Sequence, residues 1–187
     1  MGKVEVPLDI SYRLVSPGVV ALVTAEYKGR ANVMAAAWIT PVSHEPTLIA
    51  VSIHPSRYTH DLIKKGGAFI LNLPGRPLLE KVQKCGTLSG GEVDDKFAAA
   101  GLTRGAGRRV GAPWVEECLA HVECGLLEAL ELGDHTLFVG EVLGAWAEES
   151  AFSETWTLAD EEVKPLCHLG GSRYSVPEEM LAVLDEK

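Results

Sequence analysis

The sequence predicts a mainly β fold, a small antiparallel barrel carrying a few short helices. Three observations lead there. The apolar residues fall in short runs, β-branched in places and bounded by Pro, Gly or polar turn residues. Neighbouring runs are joined by direct turns, which imply antiparallel pairing. Helical patterns are inserted between the runs instead of alternating with them one for one, which argues against a doubly wound parallel sheet and for a small barrel.

Four runs come first: Val19 to Glu26, Ala31 to Val42, Thr47 to His54 and Ala68 to Leu73. Tyr27-Lys28-Gly29-Arg30 reads as the hairpin turn between the first two, and Ser43-His44-Glu45-Pro46 as a looser one before the third. Further on, Cys118, Ala120, Val122, Cys124 and Leu126 alternate with Glu117, His121 and Glu123, the pattern of a half-buried strand that Leu130 and Leu132 extend. Gly133-Asp134 then turns the chain back into His135 to Trp146. The helix over Arg57 to Lys65 has Ser56 as a candidate N-cap, Lys64 and Lys65 in its last turn and Gly66 just past it. Shorter helices are expected over Pro77 to Lys84 and Asp94 to Ala100, and a last one over Pro177 to Leu184.

At 187 residues the chain suits a single domain, 1–187. Seventeen Lys and Arg against 26 Asp and Glu leave a net charge of −9, so the electrostatic footprint of a general nucleic-acid binder is missing. The longest unbroken apolar run, Val33 to Ile39, is seven residues, far short of the roughly twenty that cross a bilayer. The N-terminus has no apolar signal core, and a cytoplasmic location is expected. Cys85, Cys118, Cys124 and Cys167 lack the spacing of a zinc site or a disulfide framework and are expected as reduced, buried thiols. Two Asn and one Gln against nineteen Glu is a scarcity of thermolabile amides that fits a thermophile or a GC-rich genome.

Two segments carry chemistry. Ser52-Ile53-His54-Pro55-Ser56-Arg57-Tyr58-Thr59 ends a strand and opens a helix, placing hydroxyls, a guanidinium and free helix N–H groups together, as a phosphate requires. The other reading is an ordinary capped helix with a surface arginine. In Asn32-Val33-Met34-Ala35-Ala36-Ala37-Trp38, three alanines are poor strand formers, so something large approaches the backbone there, either a flat aromatic ring or a tightly packed helix. The Gly-rich stretch Cys85 to Gly91 lacks the Gly-Lys-Ser/Thr ending of a P-loop. Arg104-Gly105-Ala106-Gly107-Arg108-Arg109 is either a solvated loop or a holder for a phosphate of a diffusible partner such as NADPH. His135, after the Gly133-Asp134 turn, is a candidate proton donor or substrate contact.

The order of the motifs adds to this. Asn32-x-Met34-Ala-Ala-x-Trp38 is followed by Ser52-x-x-x-x-Arg57-Tyr58-Thr59 and Phe69-Ile70-Leu71-Asn72-Leu73-Pro74. Next come Cys85-Gly86-Thr87-x-Ser89-Gly90 with Asp95-Lys96-Phe97, then Glu117-Cys118, and Leu132-Gly133-Asp134-His135-x-Leu137-Phe138-Val139-Gly140-Glu141-Val142. Together they resemble the flavin reductase-like FMN-binding split-barrel family, especially its flavoredoxin branch, over about Ser16 to Tyr174.

The resemblance implies a six-stranded antiparallel Greek-key split barrel, a homodimer, and one FMN per subunit at or near the dimer interface. It implies that Met34, Ala35, Ala36, Ala37 and Trp38 lie against the isoalloxazine ring, with Asn32 at the head of that segment. Ser52, Ile53, Arg57, Tyr58 and Thr59 would serve the phosphate and ribityl chain. Asn72, Cys85, Gly86, Ser89 and Lys96 would close the pocket, and His135 would contact nicotinamide or substrate. Many relatives carry Thr or Ser within the stretch that is Ala35-Ala36-Ala37 here, so one possible hydrogen bond to the flavin is missing.

The implied activity is an FMN-binding oxidoreductase passing electrons from NAD(P)H to a flavin, a protein or a small acceptor. Two alternatives stay open. One is an FMN electron carrier that does not turn over NAD(P)H. The other is a sensing or ligand-binding module on the same barrel, for which haem would need His135 or His121 as an axial ligand.

Overall fold

The computed structural model describes residues 2–15 and 17–182. Its strands are β1 (Gly18–Val19), β2 (Ala21–Tyr27), β3 (Arg30–Ala36), β4 (Ile39–His44), β5 (Thr47–Ile53), β6 (Ala68–Leu73), β7 (Arg104–Gly105), β8 (Trp114–Val115), β9 (Ala120–Leu132), β10 (His135–Ala147), β11 (Cys167–Gly170) and β12 (Arg173–Ser175). The α-helices are α1 (Tyr58–Gly66), α2 (Leu79–Thr87) and α3 (Lys96–Ala100), and a 3-10 helix covers Leu8–Val15.

Seven strands, one more than expected, form an antiparallel sheet in the order β3-β2-β6-β9-β10-β5-β4. The additional strand comes from the run Ala31 to Val42, which is two strands and not one. Its first half pairs with β2, from Arg30 opposite Tyr27 to Ala36 opposite Ala21, and its second half pairs with β5. Those halves are the two edges of the sheet, yet only Ala37 and Trp38 separate them along the chain. The sheet must therefore curl until its edges meet, which makes the split barrel. Its β5-to-β6 connection through α1 skips across the β9–β10 hairpin, in Greek-key fashion.

The two-residue periodicity of strands decides which residues fill the barrel. On β2, Ala21, Val23 and Ala25 face inward with Val51, Ile53, Phe69, Leu71 and Phe138, and α1 adds Leu62 and Ile63 to this core. The alternate residues Val20 and Leu22 face outward, where Val82, Cys85 and Phe97 bring α2 and α3 onto the sheet. Gly140 belongs to this packing, because a Cβ there would stand 2.7 Å from the Phe69 ring.

Local signals explain the turns and caps. Lys28 and Gly29 both have positive φ (51° and 76°), the two-residue hairpin geometry whose twist suits adjoining strands. α1 ends on Gly67 in the left-handed region, one residue beyond expectation. Its N-cap is Arg57 with no side-chain cap, in place of the expected Ser56, whose hydroxyl and N–H both engage His54 Nδ1. Asp95 caps α3 by accepting from the N–H groups of Phe97 and Ala98. The helix expected over Pro177 to Leu184 does not form at 177–182, and its last two positions lie outside the described residues, as does Ser16. No described helix is long and apolar enough to cross a membrane.

Candidate functional site

A cavity of about 100 Å³ opens between β3, the start of α1 and the α2–α3 loop. Ten expected residues meet there: Asn32, Met34 and Ala35 from β3, Arg57, Tyr58 and Thr59 from α1, and Cys85, Gly86, Ser89 and Lys96 from the α2–α3 side. The polar frame is tightly specified. Asn32 Nδ2 donates to Thr59 Oγ1 at 2.8 Å with both residues buried, and Asn32 Oδ1 lies so close to Gly90 that a Cβ there would be 2.2 Å away.

The charges of this cavity are all of one sign. Lys96 is 4% exposed, and its ammonium donates to the Cys85 carbonyl at 2.8 Å. Burial pushes its pKa down, the Cys85 sulfur opposes that, and the nearby Arg57 adds to the lowering. Arg57 itself has no carboxylate partner among the described residues. The His60 N–H donates to the Arg57 carbonyl at 2.9 Å, while α1 has no side-chain cap over the N–H groups of Tyr58 and Thr59 ahead of it. Among the described residues, no acidic one lines the cavity. Two cations and the positive end of a helix around one small space give donors that an anion could accept from, and the fork of guanidinium donors suits phosphate oxygens.

Ala35, Gly86 and Thr87 also line a second cavity of about 240 Å³, which runs on along Ala36 and Ala37 to Gln83, His168 and Tyr174. β3 is an edge strand, so one side of its backbone has no strand partner in the sheet. Of the two readings of the alanines, the structure shows the helix packing. Ala35 and Ala37 pack against the outer core beside α2, and a Cβ added to Gly86 would touch Ala35 at 3.8 Å. The same small side chains leave the backbone of β3 open to a flat ligand.

Trp38 and His135 stand at the open side of the β3–β4 link, their ring centroids 4.8 Å apart. The His135 ring also meets His54 at 5.3 Å, and its Nδ1–H donates to Asp134 Oδ1 at 2.7 Å, which lowers the Asp134 pKa. The Ser52 N–H donates to the Trp38 carbonyl at 2.9 Å and so holds the link.

Five expected residues do not line these two cavities: Trp38, Ser52 and His135, described above, together with Ile53 and Asn72. Ile53 is buried in the barrel core. Asn72 is fully buried with its amide spent on the protein: Nδ2 donates to the Leu22 carbonyl and to Thr24 Oγ1, while Oδ1 accepts from the Val115 N–H and from His121 Nδ1. The Arg104–Arg109 segment wraps an internal anion. The N–H groups of Arg108, Arg109 and Val110 and the Trp114 indole all donate to the buried Glu123 carboxylate at 2.6–2.9 Å. The Arg108 guanidinium lies 4.7 Å from the Trp114 ring centroid and 5.1 Å from that of Trp146. Sequence reasoning missed Gln83, His168 and Tyr174, which come from helix spacing and from a short C-terminal hairpin with no apolar alternation.

Residues 12–176 match the family described as flavin reductase like domain. This chain belongs to that family. Its fold is shared with the flavoredoxin of Desulfovibrio vulgaris, at 32% identity and a TM-score of 0.84 over 100% of this chain and 98% of that one. It is shared also with an FMN-binding protein from Thermus thermophilus solved with p-hydroxybenzaldehyde, at 32% identity and a TM-score of 0.83 over 98% and 99% of the two chains. A ferric-chelate reductase (NAD(P)H) of Archaeoglobus fulgidus is 30% identical over 84% of this chain and 87% of that one. The match covers only 63% of the length of another Archaeoglobus fulgidus relative, which is 46% identical over 112 residues, and 80% of a Pyrococcus abyssi relative.

Proposed function

We propose that this flavin reductase-like protein binds FMN and moves electrons from NAD(P)H through it to a flavin, a protein or a small acceptor. The carrying observation is the buried Lys96 ammonium beside Arg57 in a cavity without a carboxylate. A phosphate monoester supplies the anion that this donor set lacks. The open edge of β3 and the second cavity then suit the flat ring, with backbone groups at Met34 to Trp38 available to its polar rim. The flavin, when bound, supplies the hydride chemistry, while the protein orients it and keeps water away. Arg57, Thr59, Ser89 and Lys96 hold the phosphate end. His135, oriented by Asp134, contacts nicotinamide or substrate at the open side, with Nε2 left free to accept or deliver a proton.

A homodimer is supported by unburied apolar surface. The 3-10 helix at Leu8–Val15 buries none of its residues and leaves Leu8 90% and Leu14 70% exposed, near an exposed Trp38 that packs against Tyr12. The likeness to a flavoredoxin favours a second reading, an electron carrier that does not accept hydride from a nicotinamide. Anaerobic titration of the FMN-reconstituted protein with NADH and with NADPH tests the choice. Bleaching of the flavin band by one of them is the expected result. Bound flavin that neither nicotinamide reduces selects the carrier.

A further inference from the structure

The paired stretch of β5 and β10 ends at the open side of the site. Ile53 is paired with Thr136, so the next residues outward, His54 and His135, are cross-strand neighbours, with ring centroids 5.3 Å apart and planes at 82° to each other. Both residues are half-buried, and their Nδ1 atoms are committed in opposite senses. His54 Nδ1 accepts from the Ser56 N–H at 3.1 Å and meets the Ser56 hydroxyl at 2.8 Å. A backbone N–H only donates, so the neutral His54 ring carries its proton on Nε2. His135 Nδ1 instead donates to Asp134 Oδ1 at 2.7 Å, which leaves Nε2 bare in the neutral ring. Neither Nε2 has a protein partner among the described residues.

The pair therefore sets one fixed donor beside one group that takes and gives a proton. A metal ion is a poor occupant, because His54 cannot shift its proton to Nδ1 while Ser56 donates there. An anionic chelate meets the exposed Asp134 carboxylate and a chain of net charge −9. A conjugated carbonyl compound fits all the groups. Its oxygen accepts from His54 Nε2–H, and its flat ring finds a stacking face in Trp38, which is 47% exposed with its ring centroid 4.8 Å from that of His135. We propose that His54 and His135 receive the carbonyl oxygen of a planar two-electron acceptor, a quinone or a free flavin, and that His54 orients it. Reduction of such an acceptor by two electrons builds negative charge on that oxygen. The neutralising proton passes from His135 Nε2 and is replaced from solvent, while His54 keeps its own. The electrons are those that the proposed activity delivers, and the inference rests on that activity. A one-electron acceptor such as a metal complex needs neither group.

Three readings on the full-length protein test this. Nitrogen-15 NMR of the imidazoles, assigned with His54→Gln and His135→Gln, is expected to place the neutral His54 proton on Nε2 and the His135 proton on Nδ1. Menadione added to the oxidised, FMN-loaded protein is expected to shift both Nε2 resonances. Its affinity should fall about tenfold in His54→Phe, which keeps a ring, and recover in part in His54→Gln, which keeps a donor. Oxidation of the reduced protein by menadione and by riboflavin should slow about tenfold in His54→Phe, while oxidation by ferricyanide changes less than about twofold. Slowing with menadione alone identifies a quinone, and with riboflavin alone a free flavin. A proton on His54 Nδ1, menadione binding indifferent to His54, or an equal slowing with ferricyanide overturns the proposal. So does a His54→Phe protein that loses FMN affinity in the same proportion as menadione affinity, which marks a structural role. Wild-type protein that binds no FMN overturns the proposed function and the acceptor role with it, an outcome told apart by the imidazole tautomers, which are read without flavin.

Discussion

Lys96 Nζ donates to the Cys85 carbonyl at 2.8 Å, which ties the start of α3 to the last turn of α2 beside the inner cavity. This bond engages one of three ammonium hydrogens and leaves a buried charge facing Arg57 without a counter-ion. Burying a cation in this way costs desolvation free energy that an anion completing the site would offset. Lys96→Met keeps the length of the stem and removes the charge. It is expected to weaken FMN binding by about 1.5–3 kcal/mol, and Arg57→Ala by a similar amount. Fluorescence titration checks both, and wild-type affinity in either variant would remove that residue from the phosphate site.

The Cys85 thiol is 2% exposed, and burial pushes its pKa up to about 11 against the opposing pull of Lys96 and Lys84. At pH 8 only about one thiol in a thousand is then thiolate. Cys124 is pushed to about 12 and Cys118 well above its ordinary value. Cys167 is half-buried and is expected to react first. Timed alkylation of the native protein at pH 8 with mass-spectrometric mapping should label Cys167 ahead of the other three. Labelling of Cys85 ahead of Cys167 would contradict this order.

Acid should unfold this protein through the polar hub around Trp114, whose indole stacks on His121 at 4.0 Å. Burial pushes the His121 pKa from 6.5 down to about 4, with the Glu123 charge opposing and Arg108 assisting. A depressed folded value means full stabilisation above 6.5, lost as pH falls toward 4, by about 3 kcal/mol in total. Glu123 acts in the same direction. Burial alone would raise its pKa, but the N–H donors of Arg108, Arg109 and Val110 and the Trp114 indole outweigh that, so its contribution disappears only at still lower pH. Melting temperatures measured from pH 7 to pH 4 should fall, and His121→Gln should flatten the upper part of the decline. An equal slope in wild type and variant would refute the assignment.

Gly140 has no room for a side chain, with the Phe69 ring at 2.7 Å and Cys124 Cβ at 2.8 Å from an ideal Cβ position. Gly140→Ala should destabilise the barrel by about 1–3 kcal/mol through overpacking, without a direct effect on flavin affinity. Denaturant unfolding measures the first and FMN titration the second.

Much of the barrel is legible in the sequence because apolar runs and turn residues are local signals. Ala68 to Leu73 and the long β9–β10 hairpin emerge nearly to the residue. The break at Ala37–Trp38 is invisible, since no Gly, Pro or polar residue interrupts Val33 to Ile39; the change of partner from β2 to β5 is a tertiary fact. Ser56 has the chemistry of an N-cap, yet His54 two residues earlier captures its hydroxyl. Asn72 is drawn toward the pocket by its place in a motif, whereas its partners Leu22, Thr24, Val115 and His121 are all more than 40 residues away along the chain. The lining of the inner cavity is more legible, because Arg57 to Thr59 is a compact segment whose residue types already point to an anion, while Cys85 to Ser89 enters only through the order of the motifs.

The most direct measurement of the central claim is an equilibrium titration of flavin-free protein with FMN, followed by gel filtration and an absorbance spectrum of the protein peak. The account predicts one FMN retained per chain in the wild type and a clear loss of retention in Lys96→Met. A wild-type protein that elutes without flavin from excess FMN, while folded by circular dichroism, would contradict it.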